Sequence, residues 1–234
     1  MNIIITGASK GIGSELVKTL CKHKQNHIVA ISRNGKALKE LVEECHRINP
    51  DSKVTPYEFD LHHFDFYPFI AQRLETIIHK CDILINNAGK LINKPFRKIE
   101  PADFDEVFNI NVKSMFLLIQ ALLPIMNKGA HIVNLGSMGG VPGSKKFPGL
   151  SAYSASKGAV AILTEVLAEE LKEEEIRVNC LALGSVQTEM FEKAFPGIKA
   201  SMNPQQMANY IADFAVNGQK YFNGKIIPVS ISVP

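Results

Sequence analysis

The sequence predicts an α/β fold, a doubly wound, seven-stranded parallel sheet with helices on both faces, on three observations. Short aliphatic runs alternate with longer amphipathic ones from end to end, the pattern of repeated βαβ units. The first aliphatic run, Ile3-Ile4-Ile5, leads directly into a glycine-rich turn and then a helical pattern. Finally, 234 residues that are 46% hydrophobic and 21% charged suffice for one sizeable core, and no stretch resembles a linker, a low-complexity tract or a long repeat. Residues 1–234 are therefore expected to form a single domain.

Each element follows from its own run. A strand is expected near Ile3 to Thr6, where the isoleucines precede the turn, and a helix near Gly11 to Lys22, where the turn ends. His27 to Ser32 reads as the second strand, Lys36 to Ile48 as an amphipathic helix, and Lys53 to Phe59 as the third strand. A helix near Phe64 to His79 precedes a fourth strand near Ile83 to Asn86. Pro101 to Asn127 is expected to be helical with a break. Its apolar part, Ser114 to Asn127, contains Pro124 and is shorter than the ~18–20 residues of a membrane span, so it reads as a core helix. Strands near His131 to Gly136, Arg177 to Leu183 and Lys225 to Val229 complete the sheet, with helices near Ala152 to Lys172 and Pro204 to Phe214. Two stretches, Gly139 to Leu150 and Gly184 to Asn203, are expected to be loops. Both follow strands directly, and open α/β sheets bind ligands at the carboxyl ends of their strands, so both are expected to line a site.

Charge and cysteine usage exclude several functions. Lys+Arg 26 against Asp+Glu 23 leaves a net charge of only +3, too small for a nucleic-acid footprint or a polybasic membrane anchor. Cys21, Cys45, Cys81 and Cys180 lie far apart with no C-x-x-C pair, which suits neither a zinc site nor a redox dithiol nor a secreted disulfide framework. The first apolar run leads straight into the glycine motif and has no basic segment before it, so a cleaved leader is not expected and a cytoplasmic setting is.

The chemistry-bearing residues begin at Thr6-Gly7-Ala8-Ser9-Lys10-Gly11-Ile12-Gly13. Glycines at a strand-to-helix turn let the backbone N–H groups of a helix N-terminus approach a pyrophosphate without a Cβ in the way. An NAD site places an acidic residue at the end of the second strand, whereas the 2′-phosphate of NADP needs cations. Here that strand ends in Ser32-Arg33-Asn34, and Lys10 sits in the turn, which favours NADP(H). Asp82-Ile83-Leu84-Ile85 runs into Asn86-Asn87-Ala88-Gly89, where small residues allow close approach of a ribose and amides can tie strand ends together. Tyr153 and Lys157 stand four residues apart, on one face of a helix, where a cation near a phenol favours phenolate.

With TGASKGIG, NNAG, Asn111 in NINVK, Ser137 after IVNLG, YSASK and IRVNCLALGSVQTEM all in order, the sequence resembles the short-chain dehydrogenase/reductase family over nearly its whole length, within it the 3-oxoacyl reductases. The resemblance implies a Rossmann-type fold, NADP(H) as cofactor, and hydride transfer between the nicotinamide and a small-molecule carbonyl or alcohol. It assigns Tyr153 as general acid/base, Lys157 as the residue that lowers the tyrosine pKa and holds the nicotinamide ribose, and Ser137 as the hydroxyl on the substrate oxygen. Asn111 would support a water leading protons toward solvent. Gly7, Ser9, Lys10, Gly11, Ile12, Gly13 and Arg33 would hold the adenosine and phosphate end, with Asp60 and Leu61 flanking adenine. Asn87, Ala88 and Gly89 would meet the ribose, and Gly184, Val186 and Thr188 the nicotinamide end. No metal is implied. The resemblance also implies a homodimer or homotetramer. A non-catalytic NADPH sensor of the same fold is the alternative reading, and loss of the tyrosine or lysine would mark it; neither is lost. Three departures bear on specificity and assembly: Leu183-Gly184 replaces the family's Pro-Gly, the interval from Ser137 to Tyr153 is longer, and the terminal GKIIPVSISVP lacks paired glycines.

Overall fold

A computed structural model describes residues 1–231. Seven strands form one parallel sheet in the order β3-β2-β1-β4-β5-β6-β7. The strands are β1 (Asn2–Thr6), β2 (His27–Ser32), β3 (Lys53–Glu58), β4 (Cys81–Asn86), β5 (Met126–Ser137), β6 (Arg177–Leu183) and β7 (Ile226–Val229). The helices are α1 (Gly11–Leu20), α2 (Gly35–Ile48), α3 (Tyr67–Ile78), α4 (Pro101–Phe108), α5 (Ser114–Leu122), α6 (Ser151–Glu170), α7 (Glu189–Ala194) and α8 (Pro204–Asn217). The tail residues Ser232, Val233 and Pro234 of the atypical C-terminus lie outside the described residues.

The isoleucine run explains the double winding. Successive side chains of a strand point to opposite faces. Ile3 and Ile5 therefore enter the core layer beneath α1, α2 and α8, while Ile4 enters the layer beneath α3, α5 and α6. All three are fully buried, each contributing about 1.5–3 kcal/mol relative to an exposed side chain. β1 pairs with β2 on one side and β4 on the other, so the strand order reverses at β1 and opens a crevice at the carboxyl ends of the strands.

Every expected strand is present, and the differences lie at strand ends, in the helical segment after Pro101 and in the stretch from Gly184 to Asn203. β5 starts at Met126, because Met126 already pairs with Cys81 before the register shifts ahead of Ile83. The helical segment from Pro101 to Ile125 is continuous, with one wide turn at Asn109–Lys113 joining α4 to α5. By length and composition it could cross a membrane, yet Met115, Leu118, Ile119 and Leu122 are buried against the sheet, which makes it a core helix. The stretch Gly184 to Asn203, expected to be irregular, contains α7, whose start is capped by Thr188 Oγ1 accepting from Phe191 N at 3.2 Å. Asn203 and Gln206 form a reciprocal cap that starts α8, with Pro204 in the first turn.

Gly13 shows how tightly the first βα turn is built. A Cβ there would stand 2.2 Å from the Gly7 carbonyl oxygen and 2.5 Å from the Asn87 amide nitrogen. Gly13→Ala is therefore expected to cost about 1–3 kcal/mol, lowering Tm by roughly 2–12 °C in thermal unfolding, and to loosen the turn.

Candidate active site

The carboxyl ends of β1 and β4 are stitched together. Thr6 Oγ1 accepts from the backbone N–H groups of Asn87 and Ala88 at 3.1 and 3.0 Å, and the Asn87 amide donates to the carbonyls of Thr6 and Gly7 at 2.9 and 3.1 Å. Gly7 has φ +65° and would place a Cβ 2.8 Å from Ala88 Cα, so only glycine allows this approach. The turn delivers Gly11, at φ +59°, to the head of α1. No side chain caps that helix, and its first residues, Gly11 and Ile12, line the crevice.

The crevice is a cleft of about 300 Å³ running from β2 to α6. At one end lie Ser9, Lys10, Arg33, Asp60 and Leu61. The Ser32 hydroxyl donates to that of Ser9 at 2.8 Å, which ties the end of β2 to the turn. Burial pushes the Asp60 carboxyl up, but hydrogen bonds from the His62 backbone and ring and the charges of His62 and Arg33 outweigh it and leave its pKa below the usual value. Gly7, Gly11, Ile12, Asn87, Ala88 and Gly89 line the middle, and Tyr153, Lys157 and Thr188 the far end. Gly13 lies behind the turn, Gly184 packs against Ser230, and Val186 is buried and bridges to Met202, so these three do not line the cleft.

Tyr153 and Lys157 lie one turn apart on α6, and Ser137 ends β5 opposite them. The Ser137 hydroxyl, which accepts from Gly139 N at 3.2 Å, lies close enough to the Tyr153 phenol to lower its pKa. Lys157 is 6% exposed; its Nζ donates to the Leu135 carbonyl at 2.7 Å and sits 5.9 Å from the Tyr153 ring centre. Burial lowers the lysine to about 8, slightly countered by the Cys180 thiol. The expected depression of Tyr153 does not occur in this state: burial raises the phenol, and the nearby Ser137 hydroxyl only partly offsets it. The Lys157 ammonium is hydrogen-bonded to the Leu135 carbonyl and not to the phenol.

Asn111 lies in the wide turn between α4 and α5 and is buried. Its amide donates to Lys90 O at 3.0 Å and Ser156 Oγ at 2.9 Å and accepts from Lys90 N at 2.7 Å, so it joins β4's exit loop to α6. Beside it, a void of about 10 Å³ lies among Thr6, Asn86, Asn111, Ser114 and Lys157, at the lower limit for one water. Below, a buried polar ladder runs from Asn86 to Asn134 to Thr164, each step 2.9 Å.

The two loops expected to line the site meet each other. Phe147 contacts Phe195 with ring centres 5.7 Å apart, Phe195 contacts Phe191 at 5.2 Å, and the Asn93 amide donates to Ala194 O at 2.7 Å. Sequence reasoning missed His62, Lys90, Glu106 and Glu189, which also line the cleft. Glu189 pairs with Lys10 at 2.7 Å across the cleft mouth and with Lys193, and these cations hold its carboxyl down at about 2. No local signal reveals a contact between residues so distant in sequence.

A doubly wound sheet, a glycine cradle at its switch point and a tyrosine-lysine-serine group at the cleft's far end define a nicotinamide-dependent oxidoreductase. The short chain dehydrogenase family matches residues 1–199, and the chain belongs to that family, whose members act between a nicotinamide cofactor and a carbonyl or alcohol. It is 29% identical over 238 residues to a 3-oxoacyl-[acyl-carrier-protein] reductase of Thermotoga maritima, covering 97% of this chain and 94% of that one. Among solved structures, a short chain dehydrogenase of Shigella flexneri 2a complexed with NADP superposes with TM-score 0.88 at 26% identity, over 97% of this chain and 95% of that one. A 7α-hydroxysteroid dehydrogenase complexed with NADH and 7-oxo glycochenodeoxycholic acid superposes with TM-score 0.88 at 28% identity, over 98% and 92%.

Proposed function

We propose that the protein is an NADP(H)-dependent carbonyl reductase or alcohol dehydrogenase, one oxidoreductase domain over residues 1–234, with Tyr153 as its general acid/base. The observation that carries the reading is the convergence of Tyr153, Ser137 and Lys157 at the end of a cleft whose glycine turn fits a dinucleotide. A bound nicotinamide would supply the hydride. The chain's own residues supply the rest. Tyr153, protonated near neutral pH, is poised to donate to an oxygen gaining charge, and Ser137, close to the phenol, would stabilise the same oxygen. Lys157 would hold the ribose hydroxyls, and Asn111 with the adjoining void would supply a proton path.

Solved relatives carry NADP in one case and NADH in another, so the choice of NADP(H) rests on local charge. Arg33 and Lys10 both line the adenosine end, and the residues that follow β2, Arg33 and Asn34, are not acidic; the nearest carboxylates are Glu58, which pairs with Ser32 from β3, and Asp60 in the cleft wall. Arg33→Asp is expected to weaken NADPH binding by about 10-fold or more while NADH binding holds or improves, read by fluorescence titration. Equal affinity of the wild type for both cofactors would refute the assignment.

The Phe147, Phe191 and Met190 side chains favour an apolar carbonyl substrate, such as a 3-oxoacyl thioester or a bulky ketone. Apolar side chains also remain exposed on α5 and α6, namely Phe116, Ile162 and Val166, and support a homodimer or homotetramer. Light scattering at micromolar concentration is expected to give a mass of two or four chains; a monomer would contradict it. A reducing cytoplasm is the setting that fits four free, buried cysteines.

A further inference from the structure

The spacing of the cysteines argues against a redox dithiol, but the fold brings two of them together. Cys21 closes α1, Cys45 lies in the last turn of α2, and both belong to the same core layer, 1% and 0% exposed. Asn49 holds both backbones: its N–H donates to Cys45 O at 2.8 Å and its side-chain amide to Cys21 O at 2.8 Å. Lys18, whose carbonyl accepts from the Cys21 thiol at 3.2 Å, is paired at 2.8 Å with Glu44, the neighbour of Cys45. The two thiols lie close enough for each to shift the other's pKa. The Cys45 thiol lowers the pKa of Cys21, with help from Lys22 and against burial, while the Cys21 thiol and burial raise that of Cys45. Cys81 and Cys180 belong to the opposite core layer, and burial pushes their thiols up to about 12 and about 11.

We propose that Cys21 and Cys45 are a reversible redox pair that closes to a disulfide between α1 and α2 when a small hydroperoxide reaches Cys21. Access comes from the chain that follows, since Lys22, His23, Lys24 and Gln25 are exposed and opening of this one turn uncovers the sulfur. The Cys21 thiolate attacks the peroxide O–O bond, giving a sulfenic acid and releasing hydroxide. The Cys45 sulfur then attacks the Cys21 sulfur, the S–O bond breaks, and the Cys45 proton leaves with the oxygen as water. Two thiols and one hydrogen peroxide thus become one disulfide and two waters. The clamp falls at the ends of α1 and α2 remote from Gly11 and Gly35, away from the cleft.

The test is to treat the native full-length protein with hydrogen peroxide, block remaining thiols, digest without reductant and map the peptides by mass spectrometry. The proposal expects a Cys21–Cys45 linked pair, two hydrogens lighter than the separate peptides and restored by dithiothreitol, at least about ten-fold more abundant than in guanidinium-unfolded protein. In Cys45→Ala the link is lost, and dimedone traps a sulfenic acid on Cys21. Dimedone added to the wild type, a readout independent of any variant's folding, is expected to label Cys21 before the link appears. Thiols that stay free, links scrambled among Cys81 and Cys180, a link formed only after unfolding, or first labelling at Cys45 would each overturn the proposal.

Discussion

Tyr153→Phe is expected to cut turnover by roughly 10²–10⁴ while changing the cofactor Kd by less than about three-fold. The substitution removes one oxygen and keeps the ring, which is half-buried on α6, so the fold and the cleft walls persist. The lost oxygen is the one whose pKa the nearby Ser137 hydroxyl lowers, and among the described residues no other phenol lines the cleft. Ser137→Ala is expected to lower kcat with little change in cofactor affinity, because Ser137 lies outside the lining of the dinucleotide cleft. Steady-state kinetics combined with NADPH titration separates the two effects. Turnover near the wild-type value in Tyr153→Phe would remove the tyrosine from the mechanism.

Lys157 carries the second large effect, in stability as well as in catalysis. Its pKa in the folded, unliganded protein is about 8, against 10.5 unperturbed, because burial penalises the ammonium. Between these values the unfolded chain binds the proton and the folded chain does not, so stability rises with pH across this window. The penalty is present in full below about 8 and vanishes above about 10.5, and at 1.36 kcal/mol per unit it reaches at most about 3 kcal/mol. Urea unfolding of wild type and Lys157→Met at pH 7.5 and pH 10 checks this. The wild type is expected to gain on the variant at the higher pH, and parallel behaviour would contradict the buried-lysine account. In catalysis, Lys157→Met is expected to lower kcat and weaken cofactor binding together.

The sheet was legible because its strands are aliphatic runs at regular intervals, and the switch point because the run Ile3-Ile4-Ile5 ends in glycines. Tyr153 and Lys157 were legible because helical spacing alone puts them on one face. What stayed hidden depends on tertiary contact. The short helix α7 rests on a Thr188 cap inside a stretch rich in loop residues. Glu189 meets Lys10, and Cys21 meets Cys45, only because the crossovers fold back over the sheet. The aim of the Lys157 ammonium at the Leu135 carbonyl, and the burial that keeps Tyr153 protonated, depend on tertiary packing that no spacing encodes. The resulting state suits a proton donor for reduction better than the phenolate that the Tyr153-Lys157 spacing suggests.

The most direct test of the central claim follows a label. The wild-type protein is incubated with NADPH carrying deuterium at nicotinamide carbon 4 and a panel of ketones, acyl thioesters and pteridines, and the products are read by mass spectrometry and NMR. The assignment predicts deuterium on the carbinol carbon of at least one product, from one face only, and its absence from the same reaction with Tyr153→Phe. A wild-type protein that binds NADPH but transfers no label to any carbonyl in the panel would contradict it, and would favour a sensor built on the same fold.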